Sequence, residues 1–266
     1  MINKNYAEAS VFTPQNLLRE ARRQKTIPEG NVPAICLLDP DGDIVDYLLR
    51  SGQASLCPYW ACYHTHLYEF TLDSQHYGII GNAVGASFAV LLAEQLFGSG
   101  CQLLISITSA GIINPPAAGS NFVLIDESLR DEGTSIHYLP PDQPAQLSPA
   151  LRILLAASFQ ETSLSVELGR SWTTDAPYRE TPTAISHAQS QGVTCVEMEA
   201  AALYAFAEAK GQKVVCYAHL TNTMAQTGED FEKGLENGSV ASLSLLTHTA
   251  SVLLGGKPPS QPGKNP

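Results

Sequence analysis

The two glutamates Glu197 and Glu199 are the residues of this chain whose placement most suggests chemistry. They flank Met198 where an apolar strand sequence, TCV, changes into an apolar helix sequence, AAALYAFAEA. A carboxylate is costly to bury unless something binds it. The glutamates either interact with the N-terminal end of the following helix or accept hydrogen bonds from a vicinal diol such as that of a ribose. The residues alone favour neither interpretation.

Several other apolar segments also end in small or polar residues that could line a site. These segments end in LLDPDGD, GNAVGA, ITSAG, TTDAPYRE and LTNT. The carboxyl ends of parallel strands meet at one edge of a sheet, and ligands bind there in open α/β folds. We therefore expect these residues to lie near the two glutamates.

Strand and helix patterns alternate along the chain, and most strand segments are continuous apolar runs. This is typical of an internal, mostly parallel sheet covered by helices. We predict a single α/β domain over residues 32–254, with a mostly parallel or mixed central sheet. Residues 1–31 are predicted to be an arm with one short helix that begins at Thr13 and Pro14. Residues 255–266, rich in Pro and Gly, are predicted to be a disordered tail.

The charge of the chain excludes several classes of partner. The formal net charge is -11 and the pI is near 5.0, so the chain has no electrostatic reason to bind nucleic acid or an anionic membrane. No apolar stretch approaches the roughly 20 residues needed to span a bilayer, and MINKNYAEASVF has no apolar signal segment. We expect a soluble cytoplasmic protein.

The cysteines and glycines of the chain do not form a recognised metal or dinucleotide motif. The six cysteines form no CxxC pair and have no zinc spacing, so no metal is expected. GNAVGA is only part of the G-x-G-x-x-G pattern, which argues against a dinucleotide cofactor.

The segment VEMEAAALYAFA resembles the signature of the family that contains purine nucleoside phosphorylase, uridine phosphorylase and methylthioadenosine nucleosidase. Other segments follow in the family's order. LLDPDGD resembles the first strand and phosphate loop, GNAVGASFAVLLAEQL the glycine turn and its helix, ISITSAG the approach to the anion loop, and TTDAPYRE the base-side loop. RDEGTSIHYLP is most similar to uridine phosphorylases. The resemblance covers about residues 32–255.

This resemblance implies roles around the sugar and the nucleophile. Glu199 matches the glutamate that holds the ribose hydroxyls, Met198 packs against the sugar, and Glu197 lies next to the sugar pocket. Ser109, with Thr108 beside it, matches the hydroxyl of the anion loop. Gly85 matches the glycine that approaches the nucleophile.

The resemblance also implies residues around the base. Four of them fall on the base-side loop: Asp175, Pro177, Tyr178 and Arg179. Tyr178 could supply stacking, and Arg179 could hold the base as an arginine does in uridine phosphorylases. Asn222 stands where purine-specific members carry an aspartate. An amide donates a hydrogen bond but is not a general acid at neutral pH.

The chain departs from the phosphorylases of this family at the phosphate. Gly42 and Ser106 stand where phosphorylases have arginines, and residues 51–129 contain no Lys or Arg. A phosphate dianion needs positive partners or many N–H donors. His64 and His66 could substitute in part, if they are protonated. They lie in a segment that in the family often serves a neighbouring subunit.

Three functions therefore stay open. The leading one is phosphorylase-type cleavage of a nucleoside, without cofactor and with phosphate as co-substrate, in a homo-oligomer. The second is hydrolysis by a nucleosidase of the same fold, for which Asp39, Asp41 and Asp43 are candidates to activate water. The third is a silent protein that binds nucleosides without cleaving them.

Overall fold

The computed structural model describes residues 4–116, 120–223 and 231–255. Of the predicted tail, all residues after Gly255 lie outside these ranges. The described part contains these strands: β1 Ile35–Asp39, β2 Ala54–Leu56, β3 Tyr68–Leu72, β4 Gln75–Gly81, β5 Leu103–Ile112, β6 Phe122–Asp131, β7 Ala145–Gln146, β8 Val166–Thr174, β9 Val193–Glu197 and β10 Val214–Asn222. Its α-helices are α1 Pro14–Lys25, α2 Asp43–Arg50, α3 Ala86–Gly98, α4 Pro149–Ser158, α5 Pro182–Ser190, α6 Ala200–Lys210 and α7 Ser239–Leu254.

All the strands belong to one mixed sheet. Strand β1 pairs in parallel with β4 and β5, and β5 pairs in parallel with β10. Strands β3 and β2 continue antiparallel beyond β4. On the other side, β5, β9, β8, β6 and β10 form a closed ring, because β10 pairs with both β6 and β5. The predicted mixed α/β architecture is confirmed, and the closure of the ring is an addition to it.

The apolar runs of the sequence become the buried strands. Every residue of β1 and of β10 is buried, as expected for strands covered on both faces. The predicted hairpin between β3 and β4 turns through Asp73 and Ser74, whose φ angles of 49° and 65° are those of a two-residue primed turn. Strands β1, β5 and β10 run parallel to one another, so their carboxyl ends lie at the same edge of the sheet.

Capping residues mark the start of α1 and the end of α6. The side chain of Thr13 accepts a hydrogen bond from the N–H of Asn16 at 3.3 Å, which caps α1 as predicted. Helix α6 ends at Gly211, whose φ of 64° lies in the left-handed region that favours glycine. Within the described ranges, no helix is long and apolar enough to cross a membrane.

Helix α7 was not expected from the sequence. It packs against α2 and α4, and its buried residues include Leu245, Leu246 and Thr249. Its sequence is rich in serine and threonine, which are only moderate helix formers. Packing against its neighbours, rather than local propensity, therefore stabilises this helix.

Candidate active site

The carboxyl ends of β1, β5 and β10 meet and form the candidate site. The parallel registers place Leu38 opposite Ser106, and His219 opposite Ser109. The loop after β1 therefore faces the small residues of β5. The resemblance implied an anion loop at Ser109, but here Ser109 lies within the strand, which continues to Ile112.

Asp39 stabilises the turn between β1 and α2 through hydrogen bonds to backbone N–H groups. Its carboxylate accepts hydrogen bonds from the N–H groups of Gly42 at 3.2 Å, Ile44 at 2.9 Å and Val45 at 3.0 Å. Burial raises the pKa of Asp39 to about 7, although these donors oppose the shift. All three donors belong to the turn before α2 or its first residues, so Asp39 holds that turn in place.

Asp41 reaches from this turn into the anion loop. Its Oδ2 accepts hydrogen bonds from the N–H of Ser109 at 2.8 Å and from the Ser109 hydroxyl at 2.6 Å. These are the donors that the resemblance assigned to an anion. The chain therefore places one of its own carboxylates on them.

Lys233 supplies a positive charge beside Asp41. Its Nζ lies 2.5 Å from Oδ2 of Asp43 and 3.6 Å from Oδ1 of Asp41. Burial lowers the pKa of Lys233, but the hydrogen bond to Asp43 and the charge of Asp41 outweigh it, so this pKa is raised overall. Lys233 is held near the site because the N–H of Glu232 donates to the carbonyl of Thr221 at 2.8 Å.

A small cavity lies between these groups. Its volume is about 10 Å³, roughly the space that one water molecule needs. Asp41, Ser109, Lys233 and His219 line it, together with Asp39, Asp43, Ile44, Ile107, Thr108, Asn237 and Ser242.

Glu197 is buried, and both of its carboxylate oxygens accept hydrogen bonds from other residues of the chain. Its carboxylate accepts hydrogen bonds from the hydroxyls of Thr173 and of Ser171 (2.9 Å), and from the N–H groups of Glu199 and Ala200, both at 2.7 Å. Burial raises the pKa of Glu197, and these donors oppose the shift. The interpretation as a partner of the helix N-terminus therefore applies to Glu197, which binds the turn that starts α6.

Glu199 is buried, and only one of its two carboxylate oxygens accepts a hydrogen bond from the described residues. Its Oε1 accepts a hydrogen bond from the N–H of Gly85 at 2.7 Å, whereas Oε2 has no partner among the described residues. Burial and the charge of Glu197 raise the pKa of Glu199 to about 8, with a smaller contribution from Asp41, while the Thr108 hydroxyl acts in the opposite direction. A buried carboxylate oxygen without a donor is costly, so this atom is suited to receive one from a ligand.

Gly85 lies at the start of α3 in a conformation that favours glycine. Its φ is 94°, and its N–H points at Glu199. Met198, between the two glutamates, is half-buried. The structure thus brings Gly85 and Thr108 to Glu199, while the roles of these residues and of Met198 stay predictions.

The base-side residues lie on a more exposed loop. Asp175 accepts a hydrogen bond from the N–H of Gly133 at 2.8 Å, which ties this loop to the RDEGTS segment. Pro177 and Arg179 bound a short 3₁₀ turn, and Tyr178 is 97% exposed. Asn222, by contrast, is buried at the end of β10, and its side-chain N–H donates to the hydroxyl of Thr221 at 3.2 Å.

His64 and His66 lie apart from the anion loop of their own chain. Both are exposed, and they line a separate cleft of about 350 Å³ with Trp60 and Lys25. Within a single chain, the structure therefore does not bring these histidines to Ser109.

Two residues of the site were missed by sequence reasoning, His219 and Lys233. His219 belongs to the HLTNT segment whose end was expected to line the site. Lys233 follows that segment, and its position after the last strand was the available signal. The cysteines are all buried and free, and no cluster in the described ranges could hold a metal ion.

A comparison with models of known protein families identifies the family of this chain. The sequence model described as the phosphorylase superfamily matches residues 35–251. The chain belongs to the phosphorylase superfamily. The resemblance drawn from VEMEA and the other segments is thereby confirmed.

Individual members of the superfamily are distant from this chain. A uridine phosphorylase from Thermococcus kodakarensis is 22% identical over 219 residues, which covers 71% of this chain and 78% of the relative. The structure is similar to uridine phosphorylase from Vibrio fischeri complexed with 6-hydroxy-1-naphthoic acid, with a TM-score of 0.68, 18% identity, and coverage of 81% and 90%. It is also similar to purine nucleoside phosphorylase from Toxoplasma gondii in complex with immucillin-H, with a TM-score of 0.68, 17% identity, and coverage of 85% and 92%. At these identities the likeness establishes the shared fold.

Proposed function

We propose that this protein cleaves the N-glycosidic bond of a nucleoside by hydrolysis, releasing the free base and a pentose. The observation that carries the proposal is the position of Asp41. Its carboxylate accepts both hydrogen bonds of Ser109 beside a cavity that has room for one water molecule.

The charges of the cavity favour water over phosphate as the nucleophile. A phosphate dianion would have to displace Asp41 from Ser109 and then lie among three aspartates, Asp39, Asp41 and Asp43. Among the described residues that line the cavity, Lys233 is the one lysine or arginine, and it is already paired with two of them. Bringing two more negative charges to this position is unfavourable without further cations.

The sugar is expected to bind at Glu199. Its Oε2 can accept hydrogen bonds from the 2′ and 3′ hydroxyls of a ribose, and Met198 lies beside it. Donors of this kind favour the ionised carboxylate. Binding of a diol should therefore lower the pKa of Glu199 from about 8.

The reaction needs stabilisation of a cation and of a leaving base. As the C1′–N bond breaks, its electron pair goes to the base and the sugar becomes oxocarbenium-like. The negative charges of Asp41 and Glu199 stabilise that cation more strongly than they stabilise the neutral substrate. Asn222 donates a hydrogen bond to the departing base, and the loop with Asp175, Pro177, Tyr178 and Arg179 covers it. Neither a metal nor a cofactor takes part.

Phosphorolysis is the second candidate, and Lys233 is the observation in its favour. If phosphate displaced Asp41, Lys233 and the two donors of Ser109 would be positioned to bind it. The distant relatives named as phosphorylases are consistent with this alternative.

A panel of purine and pyrimidine nucleosides, incubated with and without added phosphate, tests the proposal. We expect base release at the same rate in both conditions. Release that requires phosphate would establish the second candidate instead. Nucleoside binding without any release would leave a silent binding protein. Light scattering on the same sample tests the homo-oligomer that the resemblance implies.

A further inference from the structure

His219 is held in a fixed orientation at the end of β10. Its ring stacks on Phe122, with centroids 4.7 Å apart and an angle of 22° between the planes. On another side lies Gly238, with a φ of 77°. A Cβ atom at that position would lie 2.3 Å from Cε1 of His219, so only a glycine leaves room for this ring.

The ring of His219 lines the same small cavity as Asp41 and Ser109. The charged groups that act on it are Asp41 and Asp43, from the turn before α2 and from its first residue, and Lys233, from the segment after β10. Asp39 also lines the cavity. Among the described residues that line the cavity, His219 is the one with an imidazole, and the other polar groups are carboxylates, hydroxyls, one amide and one ammonium group.

Asp41 is less suited to take a proton from the nucleophile. One of its oxygens already accepts two hydrogen bonds from Ser109, and the other faces Lys233 at 3.6 Å. These contacts occupy both oxygens of the carboxylate, which can still orient a water molecule as a hydrogen-bond acceptor. Removing the proton from that water requires a second group.

We propose that His219 is the catalytic base that accepts this proton. The inference rests on the proposed hydrolysis. The water oxygen forms a bond to C1′ as the C1′–N bond breaks, one water proton moves to a ring nitrogen of His219, and the other stays on the new C1′ hydroxyl. The base leaves with the electron pair and takes up a proton, and His219 returns its own proton to solvent.

The electrostatic surroundings agree with this role. Burial and the positive charge of Lys233 lower the pKa of His219 below its ordinary value of 6.5, while Asp41 and Asp43 oppose the shift. The ring is then neutral at pH 7 and able to accept a proton. With nucleoside bound, which lowers the pKa of Glu199, kcat should be constant above about pH 6.5 and fall at lower pH as the His219 ring becomes protonated.

The test compares His219→Gln with wild type and with a matched control, His187→Gln. His187 is exposed on α5, away from the cavity, and its replacement should change nothing. For His219→Gln we expect kcat to fall by about 10²–10⁴-fold, the usual contribution of a general base, with KM little changed. The fall of kcat at acidic pH should also disappear. Activity within threefold of wild type, or an unchanged acidic limb, would overturn the role of His219.

A second measurement does not depend on the folding of the variant. The His219 ring of the labelled wild-type protein can be titrated by NMR, with its signal assigned through its neighbours in the sequence. We expect its pKa, measured with a non-cleavable nucleoside analogue bound, to coincide with the acidic limb of kcat, and a clear mismatch would overturn the proposal. If wild type releases no base from any nucleoside, the hydrolytic function fails and this role fails with it. If wild type cleaves and His219→Gln cleaves equally well, only the role of His219 fails.

Discussion

Asp41 accepts two hydrogen bonds from Ser109, one from its N–H at 2.8 Å and one from its hydroxyl at 2.6 Å. These donors lie in β5, and the resemblance to the family assigns them to an anion. A carboxylate of the chain itself therefore takes the position expected for the anion. Thr108, the preceding residue, acts on Glu199, so two consecutive residues of β5 connect the nucleophile side of the site to the sugar side.

Replacing Asp41 should slow hydrolysis. In Asp41→Asn the shape is kept but the charge is lost, so the water is no longer oriented and the oxocarbenium-like sugar is less stabilised. We expect kcat to fall by about 10²–10³-fold, as for the loss of one preorganised electrostatic partner. Asp46→Asn, on the exposed face of the neighbouring helix α2, is the matched control. Equal kcat values for the two variants would show that Asp41 has no part in the reaction.

Replacing Glu199 should weaken nucleoside binding. Glu199→Gln removes an acceptor for the sugar diol, and a hydrogen bond to a charged group contributes about 1.5–3 kcal/mol. We therefore expect the Kd for a ribonucleoside, measured by calorimetry, to rise by about 10–100-fold. The Kd for a 2′,3′-dideoxynucleoside, which lacks the diol, should hardly change. Glu208→Gln, exposed near the end of α6, serves as the control. An equal loss for both ligands would contradict the diol role.

Glu199 should also make the free energy of unfolding depend on pH. The pKa of Glu199 is about 8 in the folded chain against 4.5 for an ordinary glutamate. An acid whose pKa is raised by folding binds its proton more tightly in the folded state. Its stabilising contribution is complete below about pH 4.5 and is lost as the pH rises to about 8.

We therefore expect the free energy of unfolding of wild type to fall between pH 5 and 8 by on the order of 1 kcal/mol per pH unit from this group. Asp39, with a pKa of about 7, adds to the fall up to that pH. Urea denaturation at several pH values measures the slope. Glu199→Gln should flatten it, and an identical slope in the variant would contradict the assignment.

Replacing Glu197 should affect stability more than chemistry. Its carboxylate accepts four hydrogen bonds, and a glutamine offers one acceptor oxygen in place of two. We expect Glu197→Gln to lower the free energy of unfolding by about 2–3 kcal/mol, with kcat of the folded protein within about tenfold of wild type. A variant as stable as wild type but inactive would instead place Glu197 in the reaction itself.

Much of the site could be predicted because its residues follow strands that are recognisable as apolar runs. Glu199, Gly85 and Ser109 each follow or end such a run, and parallel pairing brings those ends together. The division of roles between Glu197 and Glu199 could not be predicted. It depends on hydroxyls of β8, at Ser171 and Thr173, which are near Glu197 in space but not in sequence.

The remaining features depend on contacts that are distant in sequence. Closure of the ring through β10 and β6 requires strand pairings that apolar patterns do not specify. The segment of Lys233 returns to Thr221 through a backbone hydrogen bond, and Gly238, which precedes α7, lies against His219. These features come from tertiary structure, which local sequence patterns do not describe.

Cleavage of a nucleoside in ¹⁸O-labelled water, with phosphate present, tests the central claim most directly. The reaction is quenched quickly, before the C1 oxygen of a free pentose exchanges with the solvent, and mass spectrometry then distinguishes a free pentose from a pentose 1-phosphate. The structure leads us to expect a free pentose that carries one ¹⁸O atom at C1, and its formation should not depend on phosphate. A pentose 1-phosphate without the label would contradict hydrolysis and would mean that phosphate displaces Asp41 from Ser109.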